Sequence, residues 1–359
     1  MLLIACAGLV RGACAQTTDT TYLVPVVFHV LHNNGAENIS DAQIMDALDF
    51  LNRHFDAPTE PVSPPFDAIA ADMDIEFCLA SIDPSGAPTS GIDRIQTTLT
   101  YEAGSAQSYL DQWPPDRYLN IWTVNVISSG AAGTTLSPEQ AEAEPQRDGI
   151  MILANRVGTI GTSTYSSASV LSYLVGKYFN LKRTNEIPMG DGSCGDDEVT
   201  DTPMHSTTAA CFGSNSCDVL PTNFQNIMAG TFCNFMFTVG QRDRVHAALN
   251  STLAARNNLW SAANLAATGC GAPTGVEDES APRPVQWSHS ADGRLVLENR
   301  KNEPVSVIVR DSSGRQLEQQ VIAPNAMRTW TTVGWSGGIY LVQCIAEGRE
   351  AGTFRIAVP

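Results

Sequence analysis

The stretch that decides the fold is SASVLSYLVGKYFNLKR, from Ser167 to Arg183, together with the loop GDGSCGDDEVTDTP at 190–203. Apolar side chains recur at helical spacing in the first segment and no proline interrupts it; Gly176 is its one poor helix former. Two rows share this spacing: Val170, Leu174, Tyr178 and Leu181, and beside them Leu171, Val175 and Phe179. The pattern predicts a buried helix.

The loop after this helix collects carboxylates in a glycine-rich setting. They are Asp191, Asp196, Asp197, Glu198 and Asp201. Carboxylate and carbonyl oxygens suit a hard cation, so the composition is compatible with a calcium site. The spacing is not that of an EF-hand, and a solvated acidic loop remains the alternative.

The phrase VGKYFNLKR with the acidic loop behind it resembles the pappalysin (cytophagalysin) metzincin metallopeptidases. In that family the helix carries H-E-x-x-H-x-x-G-x-x-H, in which three histidines hold zinc and the glutamate is the general base. The resemblance therefore implies a zinc peptidase scaffold, and it also implies structural calcium in the acidic loop.

The residues of the zinc motif are all replaced when the motif is aligned on this chain. The first histidine position is Tyr173, the glutamate is Leu174, the second histidine is Lys177, the glycine is Asn180 and the third histidine is Arg183. Lys177 and Arg183 would place two positive charges where a divalent cation should sit. We therefore expect no zinc and no catalytic residue here, with ordinary residues on a half-exposed helix face as the alternative.

Asn226-Ile227-Met228 resembles the Met-turn of the same family, in which Met228 would lie beneath the metal. The family has a tyrosine two residues later, which helps to stabilise the oxyanion, and this chain has Gly230. The loss of that tyrosine is a second argument against catalysis.

The resemblance covers about residues 22–252 and implies an α+β metzincin-like scaffold, a mixed twisted sheet with a central helix. Tyr22–His32 reads as its buried first strand. Ser40 is expected to cap the next helix, with Gln43 completing a capping box. Residues 148–155 correspond to the edge strand that borders the cleft and pairs with substrate, which predicts a peptide or protein partner there.

Composition limits the classes of function. The chain has 359 residues and a net charge of −17, which disfavours nucleic acid and anionic membranes as partners. Its apolar content of 43% is enough for a sizeable core. No stretch after the N-terminal run is apolar for the roughly 20 residues that span a membrane.

The N-terminus predicts export. Residues 1–15 contain a short apolar run and end in Ala13-Cys14-Ala15, which is typical of a signal-peptide cleavage site, although a disordered tail is the alternative. We therefore expect a secreted or cell-surface bacterial protein, with a metzincin-like domain at 16–270 and a Gly/Pro/acidic linker at 271–284.

The cysteines predict disulfides after export. Four of them, Cys194, Cys211, Cys217 and Cys233, cluster in the chain and allow three pairings. The resemblance implies Cys194–Cys217 and Cys211–Cys233. A metal site built by these cysteines is disfavoured because they lack paired C-x-x-C spacing.

Residues 285–359 alternate in short strands separated by turns, which predicts a small all-β sandwich. VSVIVRDSSGRQLEQQ and SGGIYLVQCIAEGREAGTFRIAVP resemble the C-terminal sorting domain of the type IX secretion system, which would make the secretion machinery a second partner. A generic binding module is the alternative.

The sequence thus predicts a secreted, catalytically inactive pappalysin-like protein that binds peptide or protein at the former cleft. The alternative is an active secreted zinc metalloendopeptidase whose metal site uses His205 or His246. A third interpretation gives Lys177 the role of a base, but no partner nucleophile is evident.

Overall fold

The computed structural model describes residues 21–190, 193–206, 211, 217–231 and 233–270, and then 285–289, 294–310, 315–332, 334–335, 338–346 and 349–358. The chain divides into two compact units at residue 274. The expected signal peptide at 1–15 and the linker at 271–284 lie outside the described residues.

The first unit is built on a six-stranded sheet. Its strands are β1 (Tyr22–His32), β3 (Ile75–Leu79), β4 (Ile92–Gln96), β5 (Leu119–Val124), β6 (Gly133–Thr135) and β7 (Ile150–Leu153). The order is β3-β1-β5-β7-β6, and β4 continues beside the second half of β1. Two small ladders join β2 (Ala70–Ala71) to β10 (Phe237–Thr238) and β8 (Ile187–Met189) to β9 (Cys194–Asp196).

β1 is the central strand because its largely apolar residues are buried along almost its whole length. It pairs in parallel with β3 and β4 on one side and with β5 on the other. The predicted first strand is therefore found where it was expected.

The prediction that residues 148–155 form an edge strand is wrong. β7, within the predicted segment 148–155, pairs with both β5 and β6 and is internal. The edge is β6, which runs antiparallel to β7. Because β6 has three residues and no apolar alternation, it offers almost no sequence signal.

Six helices accompany the sheet: α1 (Asp41–Phe55), α2 (Pro138–Ala143), α3 (Tyr165–Tyr178), α4 (Val239–Leu249), α5 (Arg256–Leu259) and α6 (Ala262–Thr268). Ser40 caps α1 by accepting a hydrogen bond from the Gln43 backbone, as predicted. The Gln43 side chain does not complete the capping box. It instead donates to the carbonyl oxygens of Ala154 and Val157, which fixes the loop before α3 on α1.

The central helix α3 ends at Tyr178, earlier than predicted. Asn180 takes a left-handed conformation, with φ of 72°. The Leu181 N–H then bonds to the Gly176 carbonyl, and the Asn180 N–H bonds to the Lys177 carbonyl. This is a Schellman ending, in which Leu181 supplies the apolar residue that follows.

A buried ion pair joins the C-terminal part of the first unit to the start of β7. Arg256 is fully buried and donates two hydrogen bonds to Asp148, at 2.8 and 2.7 Å. Its guanidinium also lies 3.8 Å from the centre of the Tyr178 ring, at the end of α3. One charged pair thus fixes three elements of the unit.

The second unit contains two antiparallel sheets, with orders β11-β12-β15 and β14-β13-β16-β17. Their strands are β11 (Val285–His289), β12 (Arg294–Asn299), β13 (Val305–Arg310), β14 (Gln316–Ile322), β15 (Met327–Thr331), β16 (Gly338–Ala346) and β17 (Arg349–Val358). Leu295 and Trp330 of the first sheet share one apolar cluster with Val307 and Val342 of the second. This arrangement is what a small β-sandwich requires. Within the described residues, no helix is long and apolar enough to cross a membrane.

Candidate functional site

The candidate site is an open cavity of about 310 Å³ between α3, the edge strand β6 and the turn after Met228. Its lining includes three of the aligned motif positions, Tyr173, Leu174 and Arg183, as well as Gly230. The structure therefore brings together three positions that correspond to the zinc motif. The wall is completed by Ser169 and Val170 of α3, Ala132 and Gly133 of the edge-strand region, and Thr231 and Asn234 of the turn.

Tyr173 stands at the first histidine position and is half-buried. Burial raises the pKa of its phenol above the ordinary value. It is therefore a neutral side chain at physiological pH, one turn of the helix away from Lys177.

Lys177 is engaged by a neighbouring carboxylate. Its Nζ lies 2.9 Å from an oxygen of Glu186, and the same carboxylate accepts a bond of 2.9 Å from the Arg183 backbone N–H. Burial alone would raise the pKa of Glu186, but these hydrogen bonds outweigh it and hold the pKa below its ordinary value. Glu186 is thus the counter-ion of Lys177, the residue at the second histidine position.

Leu174, at the position of the general base, is 3% exposed and packs against the edge strand. Its Cδ1 lies 2.3 Å from the point where a Cβ on Gly133 would sit. This close approach depends on glycine at 133. A methyl group of Leu174 therefore occupies the place where a general base would need a carboxylate.

Arg183, at the third histidine position, lies over the turn that follows Met228. A Cβ on Gly230 would be 3.5 Å from the Arg183 Nε, an ordinary contact distance, so the guanidinium packs directly against this glycine. The Nε is buried and has no hydrogen-bond partner. Of the described residues, none forms a salt bridge with this guanidinium.

Met228 is fully buried against α3. Its Sδ lies 2.7 Å from where a Cβ on Gly176 would be, so glycine inside the helix admits the thioether. Asn226 holds the turn, because its Oδ1 accepts a 2.8 Å bond from the Met228 N–H.

The residues present do not fit zinc. Zinc is held in proteins by imidazole nitrogen, thiolate or carboxylate, whereas the three aligned positions offer a phenol, an ammonium and a guanidinium. His205 and His246 do not line the cavity. The His205 ring bonds to Thr184 and to the Ser206 carbonyl, and the His246 Nε2 lies 2.8 Å from the Met73 carbonyl.

The carboxylates of the acidic loop have separate partners. Asp201 accepts bonds from the Thr238 hydroxyl and the Gly240 N–H at the start of α4, and Glu198 pairs with Lys182 at 2.6 Å. Asp196 accepts from the Glu198 backbone N–H. Asp197 is buried, which raises its pKa to about 6, and one of its carboxylate oxygens has no partner.

Asp191 lies outside the described residues. Among the residues that are described, no three histidine, cysteine or acidic side chains form a group that could hold a metal. The calcium site therefore stays a prediction.

Three disulfides cross-link the first unit. Cys194 is joined to Cys217 and Cys211 to Cys233, the pairing that the resemblance implies. A third bond joins Cys78 to Cys270. Cys344 is buried in the second unit and belongs to none of these bonds.

Sequence reasoning missed Glu186, Gly133 and Asn234. Glu186 follows Arg183 by three residues, a spacing that could have suggested a local contact. Gly133 and Asn234 come from a three-residue strand and an irregular turn, where no periodicity marks them.

Comparison with known proteins agrees with the geometry. Residues 103–250 match the peptidase family described as pregnancy-associated plasma protein-A. No curated protein sequence matches the chain significantly.

Solved structures of mirolysin from Tannerella forsythia are similar to the first unit's fold. Mature mirolysin in complex with a cleaved peptide is 29% identical, with a TM-score of 0.63, and the match covers 71% of this chain and 99% of that one. A promirolysin mutant is 28% identical, with a TM-score of 0.61, and the match covers 71% of this chain and 87% of that one. Mirolysin in complex with a compound is 28% identical, with a TM-score of 0.60, and the match covers 69% of this chain and 98% of that one. Residues 103–250 thus match this peptidase family, and the chain shares a metzincin-like fold with mirolysin.

Proposed function

We propose that this protein is a secreted pappalysin homologue that binds peptide or protein at the former active-site cleft and does not hydrolyse it. One observation carries the proposal: every position that should hold zinc or act as the base has a side chain unable to do so. The replacements are also mutually consistent, because Lys177 has a counter-ion in Glu186 and Leu174 has a packing partner in Gly133.

Binding is supported by the open cavity beside the edge strand β6. An edge strand carries unpaired backbone N–H and C=O groups that can add one extended peptide as a further strand. This interaction needs no metal. We therefore assign the binding of the peptide or protein partner to β6 and not to residues 148–155.

Export, structural calcium in the acidic loop and sorting through the second unit belong to the same proposal. The three disulfides support an oxidising location. The paired sheets of residues 285–359 support a sorting-like or binding module at the C-terminal end.

Metal content separates this proposal from the active-peptidase alternative. The folded protein, freed of residues 1–15, is incubated with zinc and calcium, desalted and subjected to elemental analysis. We expect no zinc retained and no cleavage of a casein substrate. One zinc per chain that survives mild chelation, together with cleavage, would overturn the proposal; calcium alone would support the acidic-loop site.

A rescue variant tests the alignment itself. Tyr173→His, Leu174→Glu, Lys177→His and Arg183→His together are expected to restore zinc uptake. Circular dichroism checks that the variant is folded. A folded variant that takes up no zinc would show that these four positions are not the former metal site.

A further inference from the structure

Two polar groups in the wall of the cavity lack partners, and they have complementary requirements. The Arg183 Nε is buried and unpaired, and it belongs to a permanently charged guanidinium. Asn234 is 7% exposed, and its Oδ1 also lacks a partner. Its Nδ2 donates to the Ile227 carbonyl at 3.3 Å, which fixes the amide so that the oxygen is the unpaired atom.

A buried polar group without a partner costs free energy, so such groups in a cavity wall indicate what a ligand would supply. Arg183 requires an acceptor, and a carboxylate suits a guanidinium best because the two can form parallel hydrogen bonds. The Asn234 Oδ1 requires a donor. The last residue of a peptide carries both, a terminal carboxylate and a backbone N–H.

The local charge favours the same ligand. Glu186 neutralises Lys177 at 2.9 Å, and no described carboxylate pairs with the Arg183 guanidinium, so this wall of the cavity keeps one positive charge. That charge stands out in a protein with a net charge of −17. Ala132, Val170 and Leu174 make the rest of the lining largely apolar, which suits a small apolar terminal side chain.

We propose that the cavity binds the free C-terminus of a peptide, with Arg183 holding the terminal carboxylate and the Asn234 Oδ1 accepting from the last backbone N–H. The inference deepens the proposed function and rests on it. Arg183 would then replace the metal as the positive charge of the cleft, and the apolar wall would select the last residue.

Titration calorimetry with the full chain tests this inference. The probes are N-acetylated pentapeptides ending in alanine, valine or leucine, each as the free acid and as the C-terminal amide. We expect the acids to bind about 10- to 100-fold more tightly than the amides, as for the loss of one charge-assisted interaction. Amidated peptides with a glutamate inside the sequence form a third set. If they bind as tightly as the free acids, the ligand is a side-chain carboxylate, and the assignment of the terminus is overturned.

Variants locate the interaction. Arg183→Gln should remove the preference for the acid, and Arg183→Lys should keep part of it. Arg242→Gln is the matched control, because Arg242 lies on α4 and outside the cavity lining; it should change nothing. Because the comparison of acid with amide uses the unaltered protein, it stands even if a variant fails to fold.

The outcomes distinguish this inference from the proposed function. Acid and amide peptides that bind equally, with no effect of Arg183→Gln, would overturn the carboxylate site and leave peptide binding intact. No binding by any peptide up to millimolar concentration would overturn both.

Discussion

Asp148 and Arg256 are charged residues from which water is almost completely excluded. Asp148 is 3% exposed and Arg256 is fully buried. Removing charges from water is costly, and the attraction between the partners offsets that cost only while both are present. The pair therefore makes each residue dependent on the other.

Asp148→Asn should lower the free energy of unfolding by about 3–5 kcal/mol, because it leaves the Arg256 charge buried without a counter-ion. Urea unfolding at pH 7, followed by tryptophan fluorescence, measures the loss. Glu144→Gln is the control: it removes one partner from the part-exposed Arg147 pair and should cost about 0.5 kcal/mol. Equal losses in both variants would contradict the argument.

His54 gives the first unit a dependence on pH. Burial, assisted by the nearby Arg53 charge, lowers its pKa to about 4, and its Nδ1 lies 3.0 Å from the Ser172 hydroxyl of α3. An unfolded histidine has a pKa of about 6.5, so between these values the unfolded chain binds more protons. The contribution of His54 to stability is complete above pH 6.5 and is lost as the pH falls towards 4.

His54→Gln should therefore make stability less sensitive to pH. The free energy of unfolding of the unaltered protein, minus that of the variant, should fall by up to about 3 kcal/mol between pH 7 and pH 4. Urea titrations at four pH values provide the comparison. A difference that stays constant over this range would show that His54 does not titrate as described.

At the scale of elements, the end of α3 decides where the candidate site lies. The Schellman ending at Asn180 turns the chain back, so that Arg183 reaches the cavity instead of extending the helix. The family places glycine at this position, and asparagine is the other residue that adopts a left-handed conformation readily.

Asn180→Ala should destabilise the protein by about 1 kcal/mol, because alanine adopts the positive φ poorly. Asn180→Gly should be within a few tenths of a kcal/mol of the unaltered protein. Thermal unfolding by circular dichroism compares the two. If glycine and alanine had the same effect, the conformation of the turn would not be the cause.

At the scale of the whole molecule, the disulfides differ in the length of chain that they close. Cys78 and Cys270 are 192 residues apart, whereas Cys194 and Cys217 are 23 apart. In the loop-entropy account, the longer loop restricts the unfolded chain more, by about 5 against about 3 kcal/mol.

Replacement of Cys78 and Cys270 by alanine should therefore destabilise the chain more than replacement of Cys194 and Cys217, by about 2 kcal/mol. Urea unfolding under oxidising conditions measures both variants. When a reductant is added, the two variants and the unaltered protein should have the same free energy of unfolding, because none of them then contains a disulfide. A larger loss from the shorter loop would contradict the entropic argument.

The sequence predicted the elements whose pattern is regular. The apolar run of β1 and the cap and apolar stripe of α1 identified both, and the periodicity of α3 located its buried face. The edge strand was placed wrongly because β6 contains only Gly133 to Thr135, and the end of α3 because asparagine is a weaker helix stop than glycine.

The candidate site was predictable where it coincides with the aligned motif, at Tyr173, Leu174 and Arg183. The remainder of the site depends on long-range packing: Gly133 meets Leu174 across 41 positions of sequence, and Asn234 comes from a turn fixed by Met228. No local pattern records such contacts.

The ion pair between Asp148 and Arg256 also restricts how this protein can evolve. A mutation at either position would first produce a chain with one stranded charge, and that intermediate would be selected against before a second change could repair it. A neutral pair of similar volume would also stabilise the fold, but it can be reached only through a destabilised single mutant. Relatives that share this core should therefore keep both residues or have exchanged both.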